Sequence, residues 1–185
     1  MRDLGAILVA EHDFADALLL NRAISKAGIN VPVNFVRDGQ QVIDYFKGKP
    51  PYDQRPIYPI PDLFLLDLQM PHVDGFDVLR WLGRQSDLNH VSVAVLTESV
   101  HTAALEEVNA LGVDFFIVKP FSCGEMAREL ARVIEEYRLD TGLKCKLSGH
   151  CGAHVPWNGY GLKPQLEVPL NGKQSPAPSL ALASE

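Results

Sequence analysis

The chain has 185 residues, 46% hydrophobic and 22% charged, which is the composition of a globular domain with an appendage. Its net charge of −6 excludes a general nucleic-acid binder, which needs a basic face. The apolar stretch from Ala6 to Ala10 is too short for a signal-peptide core or a membrane span. Three scattered cysteines, Cys123, Cys145 and Cys151, make no disulfide framework, so a cytoplasmic location is expected.

Ile7 to Ala10 reads as a first buried strand that ends at Glu11-His12-Asp13. Asp13 is placed to cap a helix in which Leu18, Leu19, Arg22, Ala23, Lys26 and Ala27 recur at helical spacing, with Gly28 as the stop. Val31 to Val36 forms a second strand, and Asp38-Gly39 opens a helix carrying Val42, Ile43, Tyr45 and Phe46. Residues 48–60 hold four prolines and are too proline-rich for helix or central strand. Leu63 to Leu66 is an unbroken apolar run bounded by Pro61 and the turn signals Pro71 and Asp74-Gly75, as expected of a strand buried on both faces. A helix from Asp74 to Arg84 turns Phe76, Leu79 and Leu82 inward, with Trp81 half buried.

Val91 to Leu96 is a fourth strand, Thr102 to Leu111 a helix stopped by Gly112, and Val113 to Val118 a fifth strand. Ser122 caps a last amphipathic helix with Met126, Leu130, Val133, Ile134 and Tyr137 on one face. Five alternating strand–helix pairs require right-handed crossovers, hence an α/β fold with a doubly wound parallel sheet. Beyond residue 140 helical periodicity stops and Gly, Pro and Ser become frequent. Residues 1–140 carry 13 Lys/Arg against 21 Asp/Glu, a net −8, whereas residues 141–185 carry 4 against 2, a net +2. The domain is therefore placed at 1–140, followed by an irregular, disordered tail at 141–185.

The strand ends deliver a specific set of groups to one edge, where open α/β sheets bind ligands. Strand one brings Glu11 and His12, strand three Asp67, strand four Thr97 and strand five Lys119. A carboxylate in such a setting can act as a nucleophile and form an acyl phosphate. A hard Mg²⁺ held by oxygens neutralises phosphoryl charge. A lysine pairs with a phosphoryl oxygen, and a threonine hydroxyl can report the new phosphate.

These residues resemble the response-regulator receiver domain of two-component signalling over residues 4–138. The resemblance rests on the acidic end of strand one, on Leu66-Asp67-Leu68-Gln69-Met70-Pro71-His72-Val73-Asp74-Gly75, on Thr97 and on Lys119-Pro120-Phe121. The intervals of 30 residues from Asp67 to Thr97 and 52 to Lys119 are those of chemotaxis-type receivers. It implies a flavodoxin-like sheet of order 2-1-3-4-5, Asp67 as phosphoacceptor, and Mg²⁺ on Glu11, Asp67 and the backbone carbonyl of Gln69. It also implies Thr97 as the switch hydroxyl, Lys119 as the phosphate partner, a cis Lys119–Pro120 bond, and Phe116 at the aromatic switch position. The implied function is phosphorelay: a histidine kinase or phosphotransfer protein phosphorylates Asp67, and the change reaches the face of the fourth helix, fifth strand and fifth helix. Output is then a protein partner or a homodimer, since no DNA-binding motif follows residue 140. The proline-rich insertion resembles that of stand-alone receivers, some paired with phytochrome-type kinases.

The pattern departs from the family at His12, where members usually carry a second acid that ligates Mg²⁺. Imidazole suits Zn²⁺ or Cu²⁺ better. Three readings stay open. Mg²⁺ binding is weakened, with Glu11 and Asp67 sufficient; or Asp13 reaches in; or the domain is a pseudo-receiver, a binding module independent of phosphorylation. The joint presence of Asp67, Thr97 and Lys119 favours the first. Glu98, following the switch threonine, is bulkier than usual and is expected to point into solvent, as is His72; the alternative for Glu98 is that it partly replaces the carboxylate missing at position 12. An aspartyl-phosphate hydrolase would need an acid two residues beyond the nucleophile, and position 69 is Gln, so the chain is expected to be no enzyme beyond slow self-dephosphorylation. Cys145, His150, Cys151 and His154 fit no familiar zinc spacing, and Trp157 and Tyr160 read as tail aromatics.

Overall fold

The computed structural model describes residues 3–98 and 102–139, with the side chains of 102–105 left aside. The expected tail at 141–185, with Cys145, Cys151, His150, His154, Trp157 and Tyr160, lies outside the described residues. In chain order the elements are β1 (Ile7–Ala10), α1 (Phe14–Lys26), β2 (Val33–Val36), α2 (Gly39–Lys47), β3 (Leu63–Asp67) and α3 (Gly75–Leu82). After one 3₁₀ turn (Ser86–Leu88) come β4 (Ser92–Thr97), α4 (Thr102–Ala110), β5 (Phe115–Val118) and α5 (Cys123–Leu139). The sheet is wholly parallel, in the order β2-β1-β3-β4-β5. Among the described residues no helix is long and apolar enough to cross a membrane.

Local chemistry fixes the helix starts. Asp13 accepts from the N–H groups of Ala15 and Asp16, Asp38 from that of Gln41, Asp74 from that of Asp77, and the Ser122 hydroxyl from that of Glu125. Each satisfies backbone donors that the first turn of a helix leaves free. Gly28 and Gly48 stop α1 and α2 with positive φ. β2 and β5 each begin two residues later than expected, β4 is shifted by one, and α3 ends at Leu82.

Alternation along the central strands divides the core in two. Leu8, Ala10, Phe64, Leu66, Val93 and Val95 pack under α2, α3 and α4, whereas Ile7, Val9, Leu63, Leu65, Ala94 and Leu96 pack under α1 and α5. Every apolar residue expected on the inner face of α5 is buried. On α1 the expected face is corrected: Leu20, Ala23 and Ile24 are buried, and Leu18 is exposed. Leu18-Leu19-Leu20 allows three helical phases, and the docking of α1 on α5 selects the third.

The segment between α2 and β3 is a run of turns held by its own polar contacts. The Arg55 guanidinium donates to the carbonyl oxygens of Tyr45 and Phe46 at 3.0 and 2.8 Å, and to that of Tyr58 at 3.2 Å. It thus caps the Phe46 carbonyl at the end of α2 and adds a second donor to the Tyr45 carbonyl, which also accepts from the Gly48 N–H. Around it Tyr45, Tyr52 and Tyr58 pack with ring centroids 5.2–6.0 Å apart, and the Tyr45 hydroxyl donates to the Pro59 carbonyl. Arg55→Ala takes a donor from the Phe46 and Tyr58 carbonyls, while Tyr45 keeps the Gly48 N–H, and should cost about 2 kcal/mol. Urea unfolding measures the loss; phosphoryl uptake at the far edge of the sheet should be unchanged.

Candidate functional site

Register brings the predicted residues to one edge. Ala10 lies beside Leu66, Asp67 beside Leu96, and Thr97 beside Val118, so all the strands deliver their next residues to the same side. Glu11 and Asp67 are 2% and 1% exposed, and Thr97 is also buried. The β5 exit is held by the Lys119 N–H, which donates to the Thr97 carbonyl at 2.7 Å.

Lys119 is the hub of the edge. Its ammonium donates to Glu11 Oε2 at 2.7 Å and to Asp16 Oδ2 at 3.0 Å, and lies 3.3 Å from Asp67 Oδ2. Burial opposes its charge, but the bonds to Glu11 and Asp16 and the charges of Asp67 and Glu11 outweigh that and raise its pKa. Burial pushes the Glu11 carboxyl up, with the Asp67 charge adding to it, against the lowering effect of Lys119 and the Asp13 N–H. Three carboxylates thus share one ammonium, and the edge carries an excess of negative charge.

His12 enters the same edge. Its Nδ1 lies 3.2 Å from Asp67 Oδ2 and 3.4 Å from Glu11 Oε1, with the side chain 42% exposed. Glu11, His12 and Asp67 each offer a donor atom, and these atoms lie within 4.8 Å of one another. Asp13 does not reach in, because its carboxylate is committed to the α1 cap. Asp16 was not anticipated from sequence. The signal was an acid in the first turn of α1, one helical turn beyond the acidic strand end.

Gln69 is exposed, and its N–H donates to Asp67 Oδ1 at 3.0 Å, holding the carboxylate across the turn after β3. Glu98 and His72 are exposed, as expected. Phe116 is half buried and packs against the core under α3 and α4. The Lys119–Pro120 bond is not cis, against expectation; the cis bond among the described residues is Pro50–Pro51. Trans is the ordinary form of an X–Pro bond, and Lys119 reaches Glu11 from it.

Gly75 explains the Asp74-Gly75 pair. A Cβ at position 75 would lie 2.6 Å from Leu68 Cα and 2.7 Å from the Asp67 carbonyl oxygen, both backbone atoms that cannot yield alone. The close approach is closed by the Gly75 N–H, which donates to the Leu68 carbonyl at 3.0 Å. Gly75→Ala should push the Asp67 turn away and cost up to about 3 kcal/mol, as overpacking does. Thermal unfolding reads the loss, and phosphoryl uptake should slow with it.

The doubly wound parallel sheet thus brings a buried Asp, a buried Glu and a Lys to its strand ends. The family model for the response regulator receiver domain matches residues 7–131, and the chain belongs to that family, the receiving module of two-component signalling. It is similar to the probable methanogenesis regulatory protein FilR2 of Methanothrix harundinacea (strain 6Ac), at 32% identity over 72% of this chain and 83% of that one. Among solved structures it is similar to the response regulator RPA3017 in red light signaling of R. palustris, at 32% identity and TM-score 0.66 over 70% and 91% of the two chains. It is also similar to the phosphorylated cyanobacterial phytochrome response regulator RcpA, at 28% identity and TM-score 0.64 over 75% and 96%.

Receiver domains bind Mg²⁺ at this acidic edge. The carboxylates of Glu11 and Asp67, with their excess negative charge, fit such an ion. His12 offers nitrogen where Mg²⁺ prefers oxygen.

Proposed function

We propose that the chain is a phosphorelay response regulator that accepts a phosphoryl group on Asp67 from a histidine kinase or phosphotransfer protein. The observation that carries the reading is the Asp67 carboxylate, buried at the end of β3 with the Lys119 ammonium 3.3 Å away. A carboxylate oxygen of Asp67 attacks phosphorus, the bond from phosphorus to the donor's nitrogen breaks, and the departing imidazole takes up a proton. Glu11, Asp67 and the Gln69 carbonyl would hold a divalent cation, which would neutralise charge on the phosphoryl oxygens. Lys119 exchanges its bond to a carboxylate for one to the phosphoryl group. Thr97 follows the phosphate, Phe116 repacks, and the face of α4, β5 and α5 changes its contacts with a protein partner or a second copy. The acyl phosphate is then lost slowly to water.

A second reading is supported by the His12 contact. His12 and Lys119 both lie on Asp67 Oδ2, so the edge is already paired without phosphate. On that reading the chain is a pseudo-receiver whose interface is fixed. Incubation with phosphoramidate and a divalent cation, followed by intact mass, separates the two. One added phosphoryl mass supports the switch. None, in any cation, supports the pseudo-receiver, and capture of partners by untreated protein should then match capture by treated protein.

A further inference from the structure

We propose that His12 makes the strand-end site select a late first-row divalent cation, of the Co²⁺, Ni²⁺ or Zn²⁺ class, over Mg²⁺. The inference deepens the reading above, resting on its placement of a cation at this edge, but it does not require Asp67 to be phosphorylated.

Geometry supplies the first reason. His12 Nδ1 lies 3.4 Å from Glu11 Oε1 and 3.2 Å from Asp67 Oδ2. Zinc-like ions hold nitrogen and carboxylate oxygen at about 2.0–2.2 Å, and a tetrahedral arrangement then separates ligand atoms by roughly 3.3 Å. The two His12 separations already have that size, and all three donor atoms lie within 4.8 Å of one another. Two of these donors, Glu11 and Asp67, are buried and held: the Asp13 N–H bonds Glu11 Oε1, and the Gln69 N–H bonds Asp67 Oδ1.

Charge and donor chemistry supply the second. Glu11, Asp16 and Asp67 face the single ammonium of Lys119, so a dication is attracted whatever its identity. Identity is then set by the third donor. Imidazole favours the later metals, in the order of rising affinity from Mn²⁺ through Co²⁺ and Ni²⁺, whereas Mg²⁺ seeks oxygen and parts with water reluctantly. Nδ1 contacts Asp67 Oδ2, which Lys119 shares, and ligation through Nδ1 requires that the ring carry its hydrogen on the other nitrogen. The three side-chain donors leave room on the partly exposed side for the Gln69 carbonyl and for water or a phosphoryl oxygen, in a coordination shell expanded beyond four.

Isothermal titration of the full chain with Co²⁺, Zn²⁺ and Mg²⁺, for wild type, His12→Asp and His12→Gln, tests this. Wild type should bind Co²⁺ at least tenfold more tightly than Mg²⁺. His12→Asp should reverse the preference, losing at least tenfold for Co²⁺ while gaining tenfold for Mg²⁺, and His12→Gln should lose Co²⁺ without gaining Mg²⁺. Thiols and imidazoles beyond residue 140 could also take Co²⁺, and a thiolate-to-Co²⁺ absorption band would betray them. Wild type that prefers Mg²⁺, Co²⁺ affinity indifferent to position 12, or a thiolate band accounting for all the Co²⁺ bound would each overturn the proposal. The switch reading fails separately, if phosphoramidate labels wild type in none of the three cations while the reversal at position 12 still holds.

Discussion

Asp67→Asn takes up no phosphoryl group under conditions that add one to the wild type. The amide is a poor nucleophile, and it keeps nearly the volume of the carboxylate, so the loss is chemical. The fold should survive the change, because the asparagine oxygen can still accept from the Gln69 N–H that holds the turn after β3. Removing the charge also relieves Glu11, whose carboxyl the Asp67 charge helps to push up. The thermal midpoint should therefore equal or exceed that of wild type. Intact mass and a melting curve on the same sample check both halves. Phosphate retained by the variant would place the nucleophile elsewhere; a variant that unfolds would make Asp67 a structural residue first.

Lys119→Met has the largest expected effect on stability. The substitution keeps much of the side chain's bulk and removes the one ammonium bonded to Glu11 among the described residues, the Glu11 side chain being wholly buried. Stripping one partner from a buried pair typically costs about 3–5 kcal/mol, and the group left behind can reduce this by binding a proton. A loss of about 3 kcal/mol at neutral pH is expected, measured by denaturant unfolding. The pH dependence has a definite sign. Burial already raises the Glu11 pKa in the folded chain, and removal of Lys119 takes away the largest influence lowering it. The folded variant then binds a proton more readily than the unfolded chain. Its deficit against wild type should shrink as pH falls through the raised pKa toward the ordinary carboxyl range, and be full above it. A deficit that stays constant from neutral pH down would mean that Glu11 is not the residue left exposed to the loss. Phosphoryl uptake should fall as well, since Lys119 is the phosphate's partner in the proposed switch.

The two variants bear on different properties of one edge. In the proposed switch Asp67 supplies reactivity, and Lys119 makes it tolerable to bury Glu11 beside it. Receiver-type chemistry needs both, because a carboxylate is reactive toward phosphorus where charge can be neutralised, and neutralising groups must be near without blocking it. The contact of His12 with Asp67 Oδ2 is where this chain differs from that arrangement. On the two proposals above, position 12 sets which cation completes the edge, while Asp67 and Lys119 set whether it reacts.

Much of this was fixed by local rules that the sequence carries openly. The apolar run of β3 ends in Asp67 because a central strand is buried on both faces and its first polar residue marks the exit. Asp13, Asp38, Asp74 and Ser122 stand where four helices need capping, and the inner face of α5 follows from a single unambiguous period. Alternating strands and helices then leave a few parallel, right-handed windings, all of which send Glu11, Asp67, Thr97 and Lys119 to the carboxyl edge; the strand order was legible only through the resemblance to receiver domains. What the residues bond to was not legible. The phase of α1 was ambiguous among three leucines until α5 chose it, and with that phase came Asp16, which shares Lys119 across 103 positions of the chain. The cap that Arg55 gives to α2, the approach of Gly75 to the Asp67 turn, and the distance from His12 to two carboxylates are likewise relations between segments. Period and capping act over a few residues and can be read in order. Which charges meet depends on the packing of whole elements, and only the tertiary structure settles that.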